Sequence, residues 1–403
     1  MKVLQINTSV NTGSTGRVAE NLGKLLISRG HESYIAYGRG NSQSQSKLIK
    51  IGSHNDIIFH VLKTRISDRH AFGSKTATIN FTNEIESIQP DIIILHNIHG
   101  YYLNIEILFN YLRIKNIPVV WTLFDCWAFT GHCSYFDDIN CTRWMSECYS
   151  CPKSHQYPRS YFIDNSLCNY RLKMKLFNSI PKLQIIVHSA WLGSLIRRSF
   201  FKGYPTYIIP NGIDLDIFKP NETTIRDKFG INDKKFILGC ANVWDKRKGF
   251  EDFLRLEKIL DKGQIILLVG LTDKQIKKLP QGIIGIKRTE NIQELAALYT
   301  SADVFVNPTW QDNFPTTNLE ALACGTPVVT YNTGGSPEAI DANTGITVDK
   351  GNIEKLYEAI NTILEKGKSS FSDACRKRAE QHYNFKDRLG EYITLFHELV
   401  KDN

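Results

Sequence analysis

Short apolar runs alternate with amphipathic segments along almost the whole chain, and the pattern starts afresh once, after Pro210-Asn211-Gly212. In the first stretch Val3–Ile6, Tyr34–Tyr37, Asp91–Leu95, Val119–Leu123, Leu183–Val187 and Tyr207–Ile209 read as strands. Arg17–Arg29, with Val18, Leu22, Leu25 and Leu26 at helical spacing, reads as a helix, as do Phe81–Ile88 and Ile105–Ile114. In the second stretch Phe236–Gly239, Ile265–Val269, Val304–Asn307 and Val328–Thr330 read as strands. Phe250–Leu260, Gln293–Tyr299, Thr317–Ala323 and Ile353–Glu365 read as helices. Such alternation implies parallel sheets with helices on both faces. The expected fold class is α/β, with two Rossmann-like doubly wound domains facing across a cleft. The domains should span residues 1–203 and 204–384, with the junction inside Ser199–Lys219, and a terminal helix over 385–403 can pack back on the first domain. Only Asn41–Ser46 is of low complexity, and it reads as a polar loop.

The 403 residues suit two cores better than one. No run of about 18 apolar residues occurs, so no transmembrane helix is expected. Met1-Lys2-Val3-Leu4-Gln5-Ile6 turns polar too soon for a secretory signal, which gives a cytoplasmic expectation. The net charge of +8 comes from scattered residues without a nucleic-acid-binding signature. A protein that handles phosphates, and no nucleic acid, is the simpler reading.

Ligands of doubly wound sheets bind beyond the carboxyl ends of the strands, so functional motifs should follow strands. Asn307-Pro308-Thr309-Trp310-Gln311-Asp312-Asn313-Phe314-Pro315-Thr316-Thr317-Asn318-Leu319-Glu320 runs from a strand end through a polar loop into a helix. A helix start presents unpaired N–H groups and a positive dipole end, which suit a diphosphate. Asp312 and Glu320 on either side of it suit hydroxyl groups. Thr317-Asn318-Leu319-Glu320 also fits a capping box, in which Glu320 merely reaches back to the helix start. Asp245-Lys246-Arg247-Lys248-Gly249 follows another strand and offers Arg247 and Lys248 as counter-charges. Lys287-Arg288, after a short strand, is the expected place of a base.

The Asp312-to-Glu320 spacing resembles the Glu-x7-Glu motif of family 4 glycosyltransferases, which have the GT-B fold. The likeness continues through Glu-Ala-Leu-Ala-Cys-Gly-Thr-Pro-Val-Val and Gly334-Gly335-Ser336-Pro337-Glu338. The resemblance implies a retaining transferase that takes a sugar from a nucleotide diphosphate donor and needs no cofactor at the reaction. Asp312 would hold the sugar and Glu320 the ribose. Lys248 matches the family's lysine, and Arg247 stands in for an arginine usually placed earlier. Asn313, Phe314, Thr316, Thr317 and Lys287 would complete the donor site, with Gly13 and Gly16 of the first loop facing the donor phosphates or the acceptor.

Leu95-His96-Asn97-Ile98-His99-Gly100-Tyr101-Tyr102 and the run from Trp121 to Cys133 each follow a strand. Both resemble the subgroup that builds bacterial capsule, colanic-acid-like and O-antigen polysaccharides. The likeness implies a lipid-linked oligosaccharide acceptor and contact with the inner membrane surface. The basic and aromatic residues Arg197, Arg198, Phe200, Phe201 and Lys202 could rest on anionic lipid, but an ordinary helix end is the simpler reading of that stretch. Asp125, His132 and His99 would face the reacting centre, although Phe124 stands where many relatives carry histidine. His96 reads as a buried structural residue. Cys133, Cys141, Cys148 and Cys151, spaced C-x7-C-x6-C-x2-C, could hold a structural zinc; free thiols and disulfides are the other readings. A sugar-nucleotide epimerase of the same fold and a non-catalytic nucleotide-sugar-binding subunit are the rival functions.

Overall fold

The computed structural model describes residues 1–40 and 43–401; the first two residues of the Asn41–Ser46 loop and the last two of the chain lie outside them. The chain forms two compact units, residues 1–209 with 389–403, and residues 210–388. The division falls at Ile209/Pro210 rather than 203/204 because β7 still pairs with the first sheet.

The first unit contains strands β1 (Lys2–Ser9), β2 (Glu32–Arg39), β3 (Lys47–Lys50), β4 (Ile92–Leu95), β5 (Val119–Leu123), β6 (Leu183–Val187) and β7 (Thr206–Ile208). They pair in parallel in the order β3-β2-β1-β4-β5-β6-β7. Its helices are α1 (Gly13–Ser28), α2 (His54–Ser67), α3 (Lys75–Ile88), α4 (Ile105–Lys115), α5 (Ser166–Phe177) and α6 (Ala190–Ile196). β4 and β5 are buried at every residue, as central strands covered on both faces must be. The short edge strand β3 is mostly exposed, and its alternation is too brief to stand out in the sequence.

The second unit contains β8 (Lys235–Cys240), β9 (Gln264–Val269), β10 (Ile283–Ile286), β11 (Val304–Asn307), β12 (Val328–Tyr331) and β13 (Gly345–Val348), parallel in the order β10-β9-β8-β11-β12-β13. Its helices are α7 (Ile225–Phe229), α8 (Phe250–Glu257), α9 (Asp273–Ile276), α10 (Ile292–Ser301), α11 (Thr316–Ala323), α12 (Ile353–Lys366) and α13 (Ser369–His382). Helix α14 (Phe385–Lys401) passes from the second unit to the first, where it buries Leu389, Tyr392, Ile393, Leu395 and Phe396. His397 of α14 meets His31 edge to face, with ring centroids 5.2 Å apart.

Each sheet reverses its strand order once, between β1 and β4 in the first and between β8 and β11 in the second. Crevices beyond the carboxyl ends of the strands open at such points. The segments that leave β1, β4, β8 and β11 are the ones carrying the helix start Gly13–Gly16, His96–Tyr102, Lys246–Lys248 and Asp312. Topology thus gathers the sequence motifs into one place in each unit.

Candidate functional site

In the second unit the loop after β11 is held from both sides. Gly249 ends the 3₁₀ turn Lys246–Lys248 with φ +77, and a Cβ there would lie 2.2 Å from the Pro308 carbonyl oxygen. Gly334 has φ +56, and a Cβ there would lie 1.8 Å from the Asp312 carbonyl oxygen. Only glycine lets the backbone approach this closely in that conformation. Trp310 N–H donates to the Arg247 carbonyl at 2.8 Å, and the Arg247 guanidinium donates to the Gln311 carbonyl at 3.2 Å. Lys248 Nζ is thereby placed against Asp312 Oδ2, and the two form a half-buried ion pair.

Helix α11 begins at Thr316 behind Pro315, which supplies no side-chain cap, and no acidic residue occupies its first turn. The capping box is not formed: Glu320 is buried and accepts a hydrogen bond from the Tyr299 hydroxyl at 2.8 Å instead. The helix start is braced from below by side chains that the sequence reading passed over. Asn318 accepts from Asn307 Nδ2 at 2.8 Å and donates to Ser336 at 3.1 Å, and Ser336 meets Thr330 at 2.7 Å. Thr316 and Thr317 remain half-buried at the mouth of the helix. An uncapped helix start with a cation and a carboxylate beside it is a ready anion site.

Two expected donor residues sit differently. Phe314 is a core residue, its ring 5.9 Å from that of Tyr383, so its side chain is committed to packing. Lys287 follows the edge strand β10, three strands from β11, and pairs with Asp273 at 2.6 Å on an exposed surface. Asn313 is buried, with its N–H donating to Asp312 Oδ1 at 3.1 Å.

In the first unit Gly13 and Gly16 open α1, with Gly13 at φ +69 and the Asn11 N–H closing the turn on the Gly16 carbonyl at 3.0 Å. The N-cap Thr12 makes no side-chain cap bond. Beyond β4 and β5, Asn97, His99, Phe124, Asp125 and Trp127 wall a small cavity. Asp125 Oδ2 lies 3.0 Å from His99 Nε2, and His99 Nδ1 lies 3.0 Å from the Tyr157 hydroxyl. Burial favours a neutral Asp125, but His99 and the Trp127 N–H outweigh it and hold the carboxyl below its ordinary value. The Tyr157 ring is partly exposed, but desolvation of its hydroxyl beside His99 raises the phenol above its ordinary value, and it stays protonated as a donor. Lys173, unmarked in the sequence, lies buried 3.4 Å from the Trp127 ring centroid and donates to the Trp127 and Thr130 carbonyls. Burial pulls its amine down to about 7.

The structure separates His132 from this cavity. Its Nδ1 is bonded to Asp68, which also receives the Asn165 N–H at 3.0 Å, so His132 is a buried brace between α2 and α5. His96 is buried as expected, with Nε2 2.9 Å from Gln5 Oε1. Cys133, Cys141, Cys148 and Cys151 do line one small cavity. Among the described residues, however, no set of three or more His, Cys, Asp or Glu side chains is placed to hold a metal ion. Cys133 hydrogen-bonds to Cys151, drawing the latter thiol down to about 7, and burial pushes Cys148 up to about 12. The stretch considered for lipid contact is split: Arg197, Arg198 and Lys202 are exposed, whereas its aromatic residues pack inward. Phe201 is fully buried and stacks on Phe177, and Arg198 lies over Trp144. No helix among the described residues is long and apolar enough to cross a membrane.

Two family profiles match consecutive parts of the chain, Glycosyltransferase Family 4 over residues 15–217 and Glycosyl transferases group 1 over residues 221–382. A similar protein is Escherichia coli K12 WcaC, named as a colanic acid biosynthesis glycosyl transferase, at 23% identity over 99% of this chain and 100% of its own. A sucrose-phosphate synthase from Thermosynechococcus elongatus has the same fold, with a TM-score of 0.73 at 17% identity and 100% of both chains covered. So does Anabaena HepE, solved in complex with UDP-glucose, with a TM-score of 0.67 at 15% identity over 98% of this chain and 99% of its own. The chain belongs to glycosyltransferase family 4 and is a glycosyltransferase of the GT-B fold.

Proposed function

We propose that this glycosyltransferase retains anomeric configuration and moves a sugar from a nucleotide diphosphate donor to a growing lipid-linked oligosaccharide of a bacterial surface polysaccharide. It would work at the inner membrane face. The observation that carries the reading is the start of α11: an uncapped helix N-terminus flanked by Asp312 and Glu320, with Lys248 held against Asp312. The diphosphate would lie on the Thr316 and Thr317 N–H groups, and Lys248 would turn from Asp312 to the phosphate oxygens. Asp312 is then released to accept hydrogen bonds from sugar hydroxyls, and Glu320 serves the ribose. Helix amides, Lys248 and Arg247 stabilise the charge that develops on the leaving diphosphate, a preorganised electrostatic contribution. On the same face of the donor sugar, the acceptor hydroxyl attacks and its proton passes to the departing phosphate oxygen. His99 and Asp125 of the first unit serve the acceptor sugar.

The fold of HepE, solved with UDP-glucose, and the full-length likeness to WcaC support the donor class and the polysaccharide context. The test is turnover of a panel of nucleotide diphosphate sugars with and without bacterial membrane lipid extract. Release of nucleoside diphosphate only with extract, with sugar transferred to lipid in the α configuration from an α-linked donor, is expected. Conversion of the donor alone would replace the proposal with an epimerase. Transfer with inversion would remove the retaining mechanism.

A further inference from the structure

Helix α2 carries its apolar residues on the wrong side. Residues advance about 100° each around a helix, so Ile58, Leu62, Ile66 and Phe59 fall within one sector of about 100°. In a globular unit such a sector faces the core. Here it faces solvent: Phe59 is 70% exposed, Ile66 52%, Leu62 49% and Ile58 43%. The inward side is polar and fully engaged. His60 Nδ1 meets Ser74 at 2.9 Å, its Nε2 accepts the Ala71 and Gly73 N–H groups, and Thr64 donates to the His60 carbonyl. The helix is thus anchored by hydrogen bonds, which leaves its apolar face unused by the fold.

A second segment adjoins it. Tyr161 N–H donates to the Arg65 carbonyl at 2.8 Å, and the Arg65 guanidinium donates to the Tyr161 hydroxyl at 3.0 Å. The chain then turns out Phe162, 80% exposed, and Ile163, 48% exposed. Around the helix, Arg65 and Lys63 border the apolar sector on its two sides, and Arg159 reaches the same Tyr161 hydroxyl at 3.3 Å. These cations bond to carbonyl and phenol oxygens, Lys63 to the Phe72 carbonyl and Arg159 to that of His155. The nearby acids are turned to the backbone: Asp56 caps Ser53, and Asp164 accepts from Cys151 and Ser166. An exposed apolar ridge of this size is more than scattered surface residues. A convex apolar helix face bordered by cations matches the headgroup boundary of an anionic bilayer in shape and in charge.

We propose that the outer face of α2, together with residues 161–163, is the surface by which this protein docks on an anionic lipid bilayer. The same loop carries Tyr157 to His99, so docking would bring the lipid-borne end of an acceptor beside Asp125. That last step rests on the proposed lipid-linked acceptor; the docking itself rests on the exposed face alone.

The test is sedimentation of the full chain with vesicles of phosphatidylcholine, with and without phosphatidylglycerol. Binding to the mixed vesicles, weakened by salt, is expected. The triple variant Phe59→Ser, Leu62→Ser, Phe162→Ser should bind at least about a hundredfold less while unfolding at the same temperature, because its changes lie in solvent. Phe162→Ser alone, in a loop, should lose about tenfold and guards against a folding defect in α2. In the unaltered protein, vesicles should slow amide exchange in residues 54–67 and 161–163. The proposal is overturned if the unaltered protein stays in solution with mixed vesicles, if the triple variant binds undiminished, or if protection appears elsewhere. A dimer that the triple variant abolishes would assign the face to a second copy and overturn it equally. Nucleoside diphosphate binding measured without lipid separates the two readings, since its loss would remove the donor site and leave vesicle docking untouched.

Discussion

Lowering the pH from 7 to 5 should destabilise the first unit through four buried imidazoles, those of His60, His70, His96 and His188. Burial drags His60 and His96 down to about 3 and His188 to about 4, against an ordinary value of 6.5, and pulls His70 well below it too. The unfolded chain therefore takes up these protons near pH 6.5, whereas the folded unit refuses them until about pH 4 or below. Between those limits the unfolded state binds more protons, and stability falls as pH falls. At pH 5 His60, His96 and His188 each cost about 2 kcal/mol, about 6 kcal/mol together, and His70 adds to the loss in the same direction, a large part of the stability of an ordinary domain. His132 works the other way. Asp68 raises it against its own burial, so its contribution is present on the acid side and is lost as pH rises through the folded value. Urea unfolding followed by circular dichroism at pH 5, 6 and 7 measures the sum. His96→Gln, which keeps an amide facing Gln5, should remove about 2 kcal/mol of the pH 7-to-5 loss. Equal midpoints at pH 7 and 5, or an unchanged slope in His96→Gln, would refute the assignment of buried neutral histidines.

Other outcomes follow from the two sites. Lys248→Met should weaken nucleoside diphosphate binding by about 1.5–3 kcal/mol, roughly ten- to a hundredfold by calorimetry, with little change in unfolding temperature. Gly334→Ala places a methyl group against the Asp312 carbonyl in a left-handed backbone, so it should cost about 1–3 kcal/mol of stability and weaken donor binding with it. Tyr157→Phe removes the hydroxyl that orients His99 and should lower kcat about tenfold while leaving nucleoside diphosphate affinity unchanged.

Strands such as β4 and β5, buried on both faces, announce themselves as unbroken apolar runs, and the restart after Gly212 marks the second unit. The Asp312-to-Glu320 spacing is local, so its placement around α11 was legible too. What escaped depends on contacts distant in sequence. His132 reads as facing the reacting centre beside Asp125 until the fold brings Asp68, 64 residues away, to its ring. Lys173 carries no motif, and only the tertiary structure buries it against Trp127. Glu320 reads as a capping residue because its true partner, Tyr299, lies on another helix. Helix α2 hides for a different reason: its apolar sector faces outward, so the inference that apolar means buried fails there.

The central claim concerns where a pyrophosphate rests. A crystal structure of the chain grown with a nucleoside diphosphate should show its phosphates within hydrogen-bonding reach of the Thr316 and Thr317 N–H groups, with Lys248 Nζ swung from Asp312 onto a phosphate oxygen. Phosphates bound away from α11, with the Lys248–Asp312 pair still closed, would contradict the account.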